Sequence, residues 1–237
     1  MTDRLSSTPP DLLRVSSTPE ERALLNAELG VVVPVDDAPA LLDPRGARFQ
    51  RLEWLGDSLL DVLVARVRAG DPGGPGHAAY TSDQALALAV AATDLPARLD
   101  WQPSPGRLAD LAEACVAAGH RAAGFFGART VAVRLVSPAL AEPRLPKGLT
   151  PKQAAEAGSH VLEAAAALLL FTLQTGDDEG ALSQRRARLL DGHRVGQHGD
   201  GAGTVEEQVD RLQAELGRVL VVKGEQAAVH AALPLLR

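Results

Sequence analysis

Apolar residues recur every three or four positions along most of the chain, which is the spacing of helices with one buried face. The clearest case is segment 48–68, whose apolar positions include Leu52, Leu55, Leu59, Leu60 and Leu63. Similar segments occupy 19–29, 81–99, 107–121, 127–136, 152–175, 180–192, 205–220 and 225–236. None has the strict alternation of a half-buried strand, so the pattern predicts an all-α protein.

Capping signals mark the helix starts, and breaker residues mark the segments between them. Four threonines, each followed three residues later by Glu or Gln, mark a helix start with the pattern of a capping box: Thr18, Thr81, Thr150 and Thr204. Residues 1–17 are rich in Ser, Thr and Pro and predict a mobile tail. Residues 137–148 contain three prolines and predict a linker between two helical domains, 18–136 and 149–237.

Composition narrows the class of protein. Hydrophobic residues make up 46% of the 237 and aromatic residues only 3%, so Leu, Val and Ala must fill the core. A net charge of -6 argues against a generally basic nucleic-acid coat but leaves room for a local basic groove. The chain has a single cysteine and no signal-peptide pattern. Its longest apolar run, 161–173, is shorter than the roughly 20 residues that a membrane span needs. These features predict a cytoplasmic protein outside membranes.

Two pairs of acidic residues lie within otherwise apolar helical segments. Glu53 and Asp57 are four residues apart, and Asp110 and Glu113 are three apart, so each pair shares a helical face. Carboxylates among core residues are costly unless they are paired or bind a cation, and Mg²⁺ prefers oxygen ligands of this kind. Spacing alone favours the simpler interpretation, a solvated acidic face, and does not bring the two helices together.

The sequences around these acids resemble a known family. Residues 51–60 read RLEWLGDSLL, and residues 108–114 read LADLAEA. Both are similar to the two acidic motifs of the ribonuclease III family, and the likeness covers roughly 22–125. It implies an all-helical fold that cleaves double-stranded RNA with a divalent cation, Mg²⁺ or Mn²⁺, held by Glu53, Asp57, Asp110 and Glu113. Gln50 stands where the family has a further glutamate.

The C-terminal half resembles a second, degenerate copy of the same domain. Residues 148–152 and 179–190, the latter EGALSQRRARLL, are similar to further segments of the family. The resemblance aligns Glu163, Ala167, Asp210 and Gln213 with the four acids, so two carboxylates are missing. Because the family dimerises around an RNA-binding valley, we expect two ribonuclease III-like repeats packed as an intramolecular pseudo-dimer, and hence a monomer.

Two features of the second copy are candidates for supporting roles. The resemblance implies that Glu179 lies near the interface between the repeats and supports the first acidic site. Arg185, Arg186 and Arg188 form a cluster that alone is more often a solvated helix face. In the family pattern, however, the cluster predicts a strip that contacts RNA phosphates.

These expectations lead to two functional hypotheses. The first is a metal-dependent endoribonuclease with a single active site that nicks double-stranded RNA, leaving 5′-phosphate and 3′-hydroxyl ends as the family does. The alternative is a catalytically inactive, RNA-binding or ribosome-associated structural protein. The net charge, the degenerate second copy and Gln50 favour the alternative. We also expect Asp61 to be solvated and Cys115 to belong to the core.

Overall fold

The computed structural model describes residues 16–44, 46–71, 73–98, 103–141, 149–174, 176, 178–191 and 203–236. Within these ranges the regular elements are α-helices and short 3₁₀ turns, with no strand, which confirms the prediction of an all-α fold. The helices are α1 (Pro19–Leu29), α2 (Ala38–Leu42), α3 (Ala47–Gly70), α4 (Ala78–Thr81), α5 (Asp83–Ala91), α6 (Pro105–Leu135), α7 (Pro151–Leu173), α8 (Glu179–Leu189), α9 (Val205–Lys223) and α10 (Glu225–Ala232). Almost all of the tail predicted for 1–17, and residues 142–148 of the predicted linker, lie outside the described residues.

Three of the four predicted capping boxes are present, at Thr18, Thr150 and Thr204. The fourth, at Thr81, is wrong, because Thr81 ends α4 and the cap of α5 is Ser82. The segment predicted as one helix over 81–99 is also shorter, since α5 ends at Ala91. The Thr93 hydroxyl donates a hydrogen bond to the Val90 carbonyl and accepts one from the Leu95 amide, so local side-chain bonds replace the helical ones.

Helix α6 bends sharply where the sequence predicts a break between two helices. Ala123 and Gly124 leave the helical conformation, and Gly124 adopts a φ of 61°, which disfavours residues with a side chain. The bend brings Gly119 and Gly127 together, since a Cβ added to Gly127 would lie 2.0 Å from the Gly119 carbonyl oxygen. Small residues on both sides of the bend are therefore a steric requirement.

Helices α3 and α7 lie side by side at the centre of the molecule. Helix α6 packs along the other side of α3, and α9 packs along the other side of α7. Arg51, the first residue of the RLEWLGD motif, is buried and donates hydrogen bonds to the carbonyls of Phe171 (3.0 Å) and Gln174 at the end of α7. Because the last carbonyls of a helix have no partner within the helix, this arginine joins the two central helices.

Helix α7 is the most apolar long helix of the described chain. By length and composition it meets the criteria for a membrane-crossing helix, as the core helices of many soluble proteins also do. Of its most apolar stretch, 56% is buried inside the protein. Small residues such as Ala164, Ala165 and Ala166 are completely buried in it, which lets neighbouring helices approach closely.

Candidate active site

Helices α3 and α6 meet backbone to backbone at the two acidic motifs. A Cβ added to Gly56 would lie 1.8 Å from the carbonyl oxygen of Glu113 and 2.4 Å from its carbonyl carbon. Gly56 is the residue before Asp57, so this contact joins the acidic turn of α3 to that of α6. The structure therefore brings together Glu53, Asp57, Asp110 and Glu113, which spacing alone does not.

The electrostatics of the four carboxyl groups reflect this proximity. Burial raises the pKa of Glu113 to about 9, and the neighbouring charges of Asp57, Glu53 and Asp110 raise it in the same direction. Burial, followed by Glu179 and then Asp110, raises the pKa of Glu53 to about 7. The pKa of Asp57 is raised to about 6, first by burial and then by Asp61. Carboxyl groups held together away from water resist ionisation in this way.

Asp110 has a cationic partner on its own helix. Its carboxylate lies 3.2 Å from the guanidinium of Arg107, one helical turn earlier. Burial still raises the pKa of Asp110, although Arg107 opposes the shift. Among the described residues, no three of the four acids bring their oxygens within 4.8 Å of one another. The four acids are neighbours, but their oxygens do not form a closed cage.

The residues expected to support this site lie at its edge. Glu179, the first residue of α8, is exposed, and it is the charged group that most strongly raises the pKa of Glu53. A helix of the C-terminal half therefore places a fifth carboxylate near the acidic set. Gln50 is half-buried one turn before Glu53 on α3, and its neutral amide adds no further negative charge.

Helix α8 is held against the acidic end of α3 by two side chains. The indole of Trp54 donates a hydrogen bond of 3.0 Å to the Ser183 hydroxyl. The guanidinium of Arg186 lies 5.3 Å from the Trp54 ring centroid, donates a 2.5 Å hydrogen bond to the Ser58 hydroxyl, and is 4.0 Å from the Asp57 carboxylate.

The predicted strip of three arginines is therefore not one exposed surface. Arg186 turns inward toward α3, while Arg185 and Arg188 are exposed on α8. Successive residues of a helix point in different directions, which is why the cluster separates into two faces. RNA binding by Arg185 and Arg188 stays a prediction. Arg186 instead packs against α3 beside Asp57.

Removal of the Arg186 guanidinium is expected to destabilise the protein. The Ser58 hydroxyl is fully buried and would lose its hydrogen-bond donor, which costs about 1–3 kcal/mol. We expect Arg186→Ala to lower the free energy of unfolding by that amount in urea titrations. Arg188→Ala, which removes an exposed arginine two residues away, is expected to change it by less than about 0.5 kcal/mol. Equal effects of the two variants would contradict the structural role of Arg186.

The C-terminal half contains a similar helix contact with different residues around it. A Cβ added to Gly158 on α7 would lie 1.8 Å from the Gln213 carbonyl oxygen on α9. This is the same distance that a Cβ added to Gly56 would have from the Glu113 carbonyl oxygen. Relative to these glycines, Ala155 and Ser159 correspond to Glu53 and Asp57. Both line a cleft of about 970 Å³ together with Asp210 and Gln213. Of the four positions, this cleft keeps one carboxylate.

This packing corrects the alignment by which Glu163 and Ala167 correspond to Glu53 and Asp57. Ala167 is completely buried in the core. Glu163 lies 3.7 Å from His160, and its charge reaches Asp57 on α3 instead of the cleft beside α9. The alignment is wrong by eight residues. Helix α7 keeps no recognisable residues of the acidic motif, so only the position of Gly158 indicates which residues of α7 correspond to those of α3.

A second polar cluster next to the acids is not anticipated from the sequence. Asp61, one turn after Asp57, is not simply solvated, since its carboxylate lies 2.6 Å from the His77 Nε2 atom. His160 of α7 stacks on the His77 ring. The two histidines lie 83 positions apart in the chain, so no local spacing indicates the cluster. Cys115, by contrast, is completely buried as expected.

No protein-family model matches this sequence, and a comparison with curated proteins finds no significant match, so the motifs and the geometry of the acidic site carry the functional assignment.

Proposed function

We propose that the protein is a metal-dependent endoribonuclease that hydrolyses phosphodiester bonds of double-stranded RNA at a single acidic site. The observation that carries the proposal is the backbone contact between Gly56 and Glu113, which gathers the acids of two distant motifs. Both motifs resemble those of ribonuclease III, and each acid occupies the matching position within them. The resemblance and the geometry thus point to the same four residues.

The donor set of this site fits a hard divalent cation. Glu53, Asp57, Asp110 and Glu113 offer only carboxylate oxygens, and Mg²⁺ or Mn²⁺ would be held by them. When bound, the cation supplies activation of a water molecule and neutralisation of charge on the phosphate. The raised pKa values of Glu53, Asp57 and Glu113 support this role, because burial and then mutual repulsion keep protons on these groups, and a bound cation offsets both.

The repeated helix contact supports an internal pseudo-dimer. The pair of α3 with α6 and the pair of α7 with α9 share the same glycine-to-carbonyl approach, and α3 and α7 lie against each other. In this arrangement the protein acts as a monomer, and an RNA duplex lies across the acidic site and the cleft beside Asp210. Arg185 and Arg188 contact its phosphates, which makes affinity fall as salt rises.

Cleavage of a labelled RNA duplex with Mg²⁺ or Mn²⁺ tests the proposal. Asp110→Asn is expected to reduce the cleavage rate by at least about 100-fold, because it replaces a negatively charged carboxylate ligand of the cation with a neutral amide. Asp210→Asn is the matched control, since Asp210 lies in the cleft that keeps one carboxylate. We expect its rate to stay within about twofold of the parent protein. Equal rates for all three proteins, or no cleavage by the parent, would refute nuclease activity.

A catalytically inactive RNA-binding or ribosome-associated module is the second candidate function. The observation in its favour is the open acid set, in which Asp110 pairs with Arg107 and no three of the four acids converge within 4.8 Å. This candidate predicts that duplex RNA binds equally well with Mg²⁺ or with a chelator. It also predicts that Glu53→Gln and Asp110→Asn leave that binding unchanged.

A further inference from the structure

Asp61, His77 and His160 form a compact polar cluster between α3, the loop before α4, and α7. One oxygen of Asp61 lies 2.6 Å from His77 Nε2, and the other lies 3.9 Å from His160 Nδ1. The two imidazole rings are stacked with centroids 4.7 Å apart and planes inclined by 7°. Each ring therefore presents a nitrogen to the same carboxylate.

The cluster has the composition and size of a transition-metal site. One ligand atom from each of the three residues lies within 4.8 Å of the other two. Tetrahedral Zn²⁺ with nitrogen and oxygen ligands places them about 3.3 Å apart, which lies between the two distances from Asp61. Glu163 lies 3.7 Å from His160 Nδ1 but does not belong to this compact group, so three protein ligands are available and a water molecule would complete a tetrahedral site.

The histidines also have unsatisfied nitrogens. The Nδ1 atoms of His77 and His160 are buried and have no hydrogen-bond partner among the described residues. Buried polar atoms normally have a partner, and a bound ion would provide one for a nitrogen of this cluster. A cavity of about 270 Å³ borders both histidines and is lined further by Thr150, Lys152 and Glu156, which gives an ion a route to the cluster.

We propose that Asp61, His77 and His160 bind a transition-metal dication such as Zn²⁺. Imidazole ligands select Zn²⁺ and its neighbours over Mg²⁺, which separates this centre chemically from the all-carboxylate site. A bound ion would also tie α3 to α7 and fix the loop that carries His77. The proposal does not depend on nuclease activity, because it uses none of the four acids.

Zn²⁺ titration of the metal-stripped full chain by calorimetry, with metal analysis after dialysis, tests this centre. The parent protein is expected to retain about one Zn²⁺ per chain. His77→Gln and His160→Gln are each expected to weaken Zn²⁺ binding by roughly 100-fold or more, since removing a direct ligand costs more than removing a group that only orients a ligand. Glu113→Gln is the matched control in the acidic site and is expected to retain Zn²⁺ as the parent does.

Two further measurements keep the result interpretable. Urea titrations of the stripped proteins check that both histidine variants fold, and Co²⁺ in place of Zn²⁺ reports ligation directly through its visible absorption. Loss of the Co²⁺ absorption in the histidine variants, but not in Glu113→Gln, supports the centre. No Zn²⁺ binding by the parent protein, or loss in Glu113→Gln with retention in the histidine variants, would overturn it.

Discussion

Gly56→Ala is expected to destabilise the protein by about 3 kcal/mol or more, although alanine is the better helix former by about 1 kcal/mol. The added Cβ would lie 1.8 Å from the Glu113 carbonyl oxygen and 3.0 Å from its Cα, so the obstacle is helix backbone. A flexible side chain could change its rotamer to relieve this clash, but the helix backbone cannot. Helices α3 and α6 must separate, and the leucines buried between them lose contacts.

Urea unfolding followed by circular dichroism measures this effect. Gly106→Ala, within the first turn of α6, is the matched control, because a Cβ there meets nothing within 4 Å. We expect its free energy of unfolding to be unchanged or slightly raised. Gly158→Ala is expected to behave like Gly56→Ala, since its Cβ would lie 1.8 Å from the Gln213 carbonyl oxygen. A Gly56→Ala variant as stable as the Gly106→Ala variant would show that the helices are not in this contact.

The helices were largely predictable from the sequence because their signals are local. Thr18, Thr150 and Thr204 cap the helices that they precede, and the leucine spacing of 48–68 falls within α3. The end of the segment 81–99 was not predictable in the same way. It depends on the bonds of the Thr93 hydroxyl, which compete with the helix at short range.

The candidate site was predictable in its residues and less so in its surroundings. The two sequence motifs identify Glu53, Asp57, Asp110 and Glu113 as the candidate site residues. The proximity of these four acids, however, depends on a glycine contact between helices more than 50 positions apart in the sequence. The inward turn of Arg186 depends on the position of α8 against Trp54. The histidine pair depends on a contact between α7 and the loop before α4. These are tertiary contacts, for which a sequence period carries no information.

Glu113→Gln is expected to weaken the pH dependence of stability between about pH 5 and pH 9. In the folded protein the pKa of Glu113 is raised from 4.5 to about 9, and that of Glu53 from 4.5 to about 7. The folded state therefore binds more protons than the unfolded chain in this window. Since stability then falls as pH rises, the parent protein without divalent cations should be less stable at pH 8 than at pH 5.

The glutamine variant removes the most strongly perturbed of these carboxyl groups. Without divalent cations, we expect Glu113→Gln to melt several degrees above the parent at pH 8, where about 1 kcal/mol corresponds to roughly 2–4 °C. The difference should shrink toward pH 5 and vanish below the unfolded-state pKa of 4.5, where Glu113 is protonated in both the folded and the unfolded protein. Glu206→Gln, an exposed position in the first turn of α9, is the control and is expected to change the melting temperature little at either pH.

Mn²⁺ then distinguishes a cation site from a merely repulsive set of acids. A cation that binds the ionised carboxylates stabilises the fold in proportion to its occupancy, so Mn²⁺ should raise the melting temperature of the parent at pH 8 and have a much smaller effect at pH 5. In Glu113→Gln the Mn²⁺-dependent rise should be strongly reduced, while in His77→Gln it should persist, because that variant leaves the four acids intact. Equal Mn²⁺ effects in the parent and Glu113→Gln would mean that the four acids bind no cation, which would leave the inactive RNA-binding module as the better explanation of the acidic motifs.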